Sequence, residues 1–297
     1  MHHRSLAAFK SARFPLGKGP VAILLAEDPV EIDSTIAHHL RAGFATIMVF
    51  APSETTFEVA PQGRPMADGA TPVIIRVDHD PRGADAMLAA VNAVIAKGPG
   101  IWMYYGFNAE YLFHPFAESR SVGEMLTFHT EERRDALLTY VIDLYAGDLA
   151  AHPDAVDPGD AWLDKSGYYA LARKDPDNDW APMERQLDFF GGLRWRYEEH
   201  VPWKRRKIDR IGLFRARPGL ALRADHTFNV PEYNTYACKW HNNLTAAICS
   251  FRTAKALRLN PGSRDGIESF KWRNSVPFSW ESQQLMDLGL MEPGQWF

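Results

Sequence analysis

The chain has 297 residues, 46% of them hydrophobic and 24% charged, with a net charge of −4. That composition is globular and long enough for one large domain or two small ones, and its acidic balance argues against a dedicated nucleic-acid binder. The two cysteines, Cys238 and Cys249, give neither a disulfide framework nor a four-ligand zinc site. A reducing cytoplasm fits that cysteine usage best, and no apolar run reaches the roughly 20 residues that cross a bilayer.

Residues 1–19 read as a solvated N-terminal arm. Arg4, Lys10, Arg13 and Lys18 could give it weak attraction to an anionic membrane surface. Residues 20–297 are expected to form one domain. The apolar run Val21–Leu25 predicts a strand buried on both faces. Residues 30–42 have helical spacing, stopped by Gly43. Residues 45–50 predict a second strand, 54–72 a loop, and 73–77 a third strand ending in Asp78-His79-Asp80. Residues 84–97 predict a helix, and 100–112 hold a fourth strand that runs into Asn108-Ala109-Glu110. Alternating strands and helices imply a mostly parallel, Rossmann-type α/β sheet flanked by helices. Ligands of such sheets bind beyond the carboxyl ends of the strands, here Ala26-Glu27-Asp28, Ser53, Asp78–Asp80 and Asn108–Glu110.

The second half, 121–297, is expected to be mixed α+β. Residues 131–149 have helical spacing, which would place Asp143 as a packed charge in an apolar helix; 150–182 read as an irregular excursion with short strands, and 241–258 as another helix. Basic residues crowd together over 194–217. They offer a solvated face, a fork for phosphate groups, a surface for anionic lipid headgroups or, least favoured, a nucleic-acid patch whose binding would be steeply salt-sensitive. Trp195, Tyr197 and Trp203 beside them could stack on sugar rings, although core filling is the commoner role. No Gly-x-Gly-x-x-Gly follows the first strand, and the chain has no P-loop and no Gly-x-Ser-x-Gly elbow, which removes the main support for dehydrogenase, P-loop and α/β-hydrolase readings.

The order of several motifs resembles bacterial family-2-like glycosyltransferases of GT-A fold, the family-92-related group. The resemblance covers about residues 20–260. It is carried by Leu25-Ala26-Glu27-Asp28, His38-His39-Leu40-Arg41-Ala42-Gly43, Trp102 with Glu110-Tyr111-Leu112, the segment Phe190-Gly191-Gly192-Leu193-Arg194-Trp195-Arg196, and Cys238-Lys239-Trp240-His241-Asn242. It implies inverting transfer of a sugar from a nucleotide-diphosphate donor to a glycan or lipid-linked acceptor. Residues 20–120 would bind the nucleotide sugar and 121–297 would form the acceptor side. The family's metal-binding Asp-x-Asp is degenerate here: aligned directly, its aspartates fall on Phe107 and Ala109; shifted by one residue, on Asn108 and Glu110.

The resemblance then implies donor binding by Ala26, Glu27, Asp28, Ser53, Asp78, Asp80 and Arg194, and a Mn²⁺ or Mg²⁺ site at Asn108, Glu110 and His241, with His226 in reserve. Glu118 and Glu110 would be catalytic, Glu118 as general base. Plainer alternatives stand beside these roles: a capped turn at Asp78–Asp80, an ion pair of Glu118 with Arg120, a structural His241, and a catalytically degenerate module that binds a glycan or a partner protein.

Overall fold

A computed structural model describes residues 1–64, 71–235 and 243–296. In chain order the elements are β1 (His2–His3), α1 (Leu6–Ser11), β2 (Val21–Leu25), α2 (Ile32–Ala42), β3 (Thr46–Ala51), β4 (Val73–Asp78), α3 (Ala84–Lys97), β5 (Trp102–Phe107), β6 (Glu110–Phe113), α4 (Val122–Glu131), β7 (Ala136–Ala146), β8 (Ala161–Asp164), β9 (Tyr169–Asp175), β10 (Ala181–Phe190), α5 (Gly192–Arg196), β11 (Asp209–Arg215), β12 (Ala246–Ser250), α6 (Arg252–Leu259), β13 (Ser275–Pro277) and α7 (Ser282–Asp287).

Eleven of the described strands form one mixed, mostly parallel sheet whose main path is β1-β4-β3-β2-β5-β11-β7-β12-β6. The stretch β4-β3-β2-β5 is parallel throughout, and β2 pairs β5 where the strand order reverses, the place where such sheets make a crevice. Strand residues alternate between two cores. Ala22, Leu24, Ile47 and Val49 point to one face, and Val21, Ile23, Met48 and Phe50 to the other. Burial on both faces explains the unbroken apolar runs. β9 and β10 form a separate antiparallel hairpin.

The sheet is curled. Between β5 and β6 lie three other strands, so a flat sheet would separate the two by about 19 Å. The three Cα steps from Phe107 to Glu110 reach at most about 11 Å. The path must therefore bend back on itself around Asn108-Ala109. Ala109 sits at φ 57°, a left-handed conformation that costs a residue with a Cβ roughly 1 kcal/mol or more. It is held there because its N–H donates to Thr35 Oγ1 at 2.9 Å and its carbonyl accepts from Phe251 N at 3.0 Å.

Three sequence expectations need correction. The helix expected over 131–149 is the strand β7; its leucines fit a helical stripe, but β-branched and aromatic residues run between them, and it lies between β11 and β12. The helix of that region is α4, opened by a capping box of Ser121 and Glu124. The described part of 241–258 is β12 followed by α6, not one helix. Residues 1–19 are not a solvated arm. β1 pairs β4, Ser5 caps α1, and Phe9 is fully buried against Phe50.

Candidate functional site

The carboxyl ends of β2, β5, β7 and β12 lie along one edge of the sheet, joined there by the start of the antiparallel β11. Asn108 closes the gap between the β2 and β5 ends. Its Oδ1 accepts from Glu27 N at 3.0 Å, and its Nδ2 donates to Asp28 Oδ1 and to Val30 O, both at 2.8 Å. The amide does here what a second carboxylate could do only with a cation between them.

Glu27, Asp28 and Glu110 on this edge each have a cation in contact. Arg252 forks onto Glu27 with two hydrogen bonds of 2.7 Å and lies 3.8 Å from the centre of the Phe107 ring. Lys255 donates to Asp28 Oδ2 at 2.6 Å. Glu110 is fully buried and accepts from Arg210 at 2.7 and 3.2 Å, from Ser250 Oγ at 3.1 Å and from Phe107 N at 2.9 Å. Burial alone would raise the Glu110 pKa, but the charge and hydrogen bonds of Arg210 outweigh it and bring it down to about 2.

Arg194 differs from these three cations because it bonds only to neutral oxygens, Lys207 O at 2.6 Å and Thr253 Oγ1 at 3.2 Å. Asp143 attracts it without contact and is itself held above the ordinary carboxylate range by burial. Asp143 Oδ2 accepts from Leu193 N at 2.8 Å, and this contact aims the Gly191-Gly192-Leu193 turn, with Gly192 at φ 62°. A Cβ on Gly192 would meet Asp143 Oδ2 at 2.7 Å, so glycine is required. His226, bonded to the Tyr105 hydroxyl at 2.9 Å, completes the cluster. Burial first, then Arg210, Arg252 and Arg194, push its pKa down to about 3.

The edge thus brings together Ala26, Glu27, Asp28, Asn108, Glu110 and Arg194 of the expected site. The others go elsewhere. Asp78 accepts from Arg76 and His2, both at 2.8 Å; burial raises its pKa, but these hydrogen bonds leave it lowered. Asp80 closes a turn with Arg82, as the plainer alternative has it, and Ser53 Oγ bonds only to neighbouring Glu54. Glu110 is an ion-pair partner with both oxygens engaged, not an open metal ligand or catalytic acid. Glu118 does not reach the crevice. β6 runs antiparallel to β12 and carries the chain to the opposite edge, where Glu118 accepts from Ser282 N and Oγ at 2.5 Å each, at the start of α7. His241 lies outside the described residues, among which no group of three metal-ligating side chains occurs. Asp143 belongs to a strand and helps to aim Arg194.

Sequence reasoning missed Arg252 and Lys255 and did not separate Arg210 from its basic neighbours. One signal was available: Ala246–Ser250 is an apolar run ending in polar residues, the same pattern that marked the first four strand ends. The described residues include no helix long and apolar enough to cross a membrane. No protein-family model matches the sequence, and no curated protein matches it.

Proposed function

We propose that the protein is a GT-A-type glycosyltransferase that moves a sugar from a nucleotide-diphosphate donor to an acceptor hydroxyl without needing a divalent metal. One observation carries the reading: at the switch point, Glu27, Asp28 and Glu110 are matched by Arg252, Lys255 and Arg210, while Arg194 adds a guanidinium bonded only to neutral oxygens. Asp143 is the acid nearest Arg194, but burial disfavours its charged form, which leaves the Arg194 guanidinium available to an anion, and guanidinium groups bind phosphate oxygens in fork geometry. In the reaction the acceptor oxygen bonds to the anomeric carbon, the bond from that carbon to the phosphate oxygen breaks, and the hydroxyl proton passes to a base. The leaving diphosphate would gather charge beside Arg194 and Arg252, which is where electrostatic stabilisation counts most.

The test is thermal stabilisation and turnover with UDP, GDP and dTDP sugars, each in Mn²⁺ and in EDTA. Stabilisation equal in both, and lost in Arg194→Ala, is the expected result. No stabilisation and no hydrolysis with any donor would reject the reading. The sealed Glu110–Arg210 pair favours one rival, a glycosyltransferase-like module that binds without turnover; it predicts stabilisation by a nucleotide sugar but no product with any acceptor.

A further inference from the structure

The hairpin β9–β10 and the segment that follows it expose aromatic rings that the fold does not use. Tyr169, Phe190 and Trp203 form a stepped stack with centroids 5.3 and 6.1 Å apart and planes tilted by 19° and 25°. Phe190 is buried in the middle, while Tyr169 and Trp203 on either side are 44% and 69% exposed. Trp195, 43% exposed, stands beside Gly167 just ahead of Tyr169. It opens a groove of about 460 Å³ shared with Arg196, Tyr197, Glu198 and Glu199. Arg206 links groove and stack, bonding Glu198 at 2.8 Å and lying 5.6 Å from the Trp203 ring centre.

Charge narrows the choice of occupant. Residues 169–207 carry seven acidic and nine basic residues; two of the nine, Arg194 and Arg196, are held away from the stack by Lys207 O and by Asp164, which leaves seven of each sign around it. A balanced surface has no net attraction for an anionic bilayer, which is drawn to a basic excess. It suits a neutral ligand with apolar faces and many hydroxyls. Sugar rings have that character: their C–H faces lie on aromatic rings while their hydroxyls bond to charged side chains at the rim. We infer that Tyr169, Trp195 and Trp203 form a binding platform for a neutral oligosaccharide chain. The platform runs through Phe190 into the Gly191-Gly192-Leu193 turn and Arg194. On the proposed glycosyl-transfer reading, on which this last step rests, the bound chain is the acceptor.

The experiment is calorimetric titration of the full chain, without nucleotide, with cellohexaose, maltohexaose and chitohexaose, and of Trp203→Ala, Trp203→Phe and Tyr169→Ala with whichever binds. At least one hexasaccharide should bind saturably. Trp203→Ala and Tyr169→Ala should each weaken it about tenfold, and Trp203→Phe should stay within about threefold, since a phenyl ring retains most of the stacking. Unchanged melting temperatures would show that the variants fold. Absence of binding to all three sugars, or equal binding by the alanine variants, overturns the inference. So does binding to phosphatidylcholine–phosphatidylglycerol vesicles that these variants abolish. Because no nucleotide is present, sugar binding without any donor binding would sink the transferase reading and leave the platform standing; the converse would do the reverse.

Discussion

The Asn108 side-chain amide lies 2.8 Å from the Asp28 carboxylate and donates to it, at the point where the paired parallel strands β2 and β5 end. Exchanging that amide for a carboxylate sets two negative charges face to face. Asn108→Asp is therefore expected to cost about 2–3 kcal/mol at neutral pH through lost donors and repulsion. Mn²⁺ should restore much of this loss in the variant and do little for the parent. Melting curves with and without Mn²⁺ check both halves, and equal metal responses would contradict this account of Asn108.

Arg210 and Glu110 should behave as a unit. Arg210→Met leaves a buried, unpaired carboxylate and should cost about 3–5 kcal/mol, whereas Glu110→Leu with Arg210→Met should recover most of it. The pH dependence has a definite sign. The folded Glu110 pKa lies below its ordinary 4.5, at about 2, so its contribution is complete above about pH 4.5 and disappears as pH falls through about 2. In Arg210→Met, burial is opposed only by the more distant Arg252 and by the donors Phe107 N and Ser250 Oγ, and acidification should relieve the strain. Denaturant titrations of the three proteins at pH 7 and pH 4 test this, and an additive double variant would refute the coupling.

Buried histidines set a second, higher window. Burial lowers His38, His114 and His129 to about 4 and His39 and His226 to about 3. Between pH 6.5 and these values the unfolded chain takes up protons that the folded chain refuses, so stability falls as pH drops below about 6.5. At about 1.4 kcal/mol per unit for each of the five groups, the loss from pH 8 to pH 5.5, one unit below 6.5, should reach roughly 7 kcal/mol. Urea unfolding at the two values measures it; a difference under about 1 kcal/mol would mean these rings ionise in the fold.

Phe9→Ala should cost about 3–5 kcal/mol, as for other large-to-small changes at fully buried aromatics. A solvated arm would show almost no loss in the same chemical denaturation experiment.

The sequence was most readable where burial left a plain pattern. β2 and α3 were legible because an unbroken apolar run and a long apolar stripe each admit one reading. β7 was not, because Leu137, Leu138, Val141, Ile142 and Tyr145 satisfy both a helical stripe and a doubly buried strand; only its neighbours β11 and β12 decide. At the site, Asn108 and Glu110 could be found from their place at a strand end. Their partners could not: Arg210 and Arg252 lie 100 and 225 residues from the acids they bind, and local pattern does not encode pairs so distant. Glu118 misled because proximity in sequence to β5 says nothing about β6 turning the chain away.

The two-residue passage from β5 to β6 has a mechanical consequence. It ties the middle of the sheet to its last strand, so the strand ends around Asn108 cannot spread without stretching a link already anchored to Thr35 and Phe251. That side of the crevice is a fixed jaw, whereas β9 and β10, joined to the segment before β11 through Ile208 N on Phe189 O, form a sheet of their own and are free of that link.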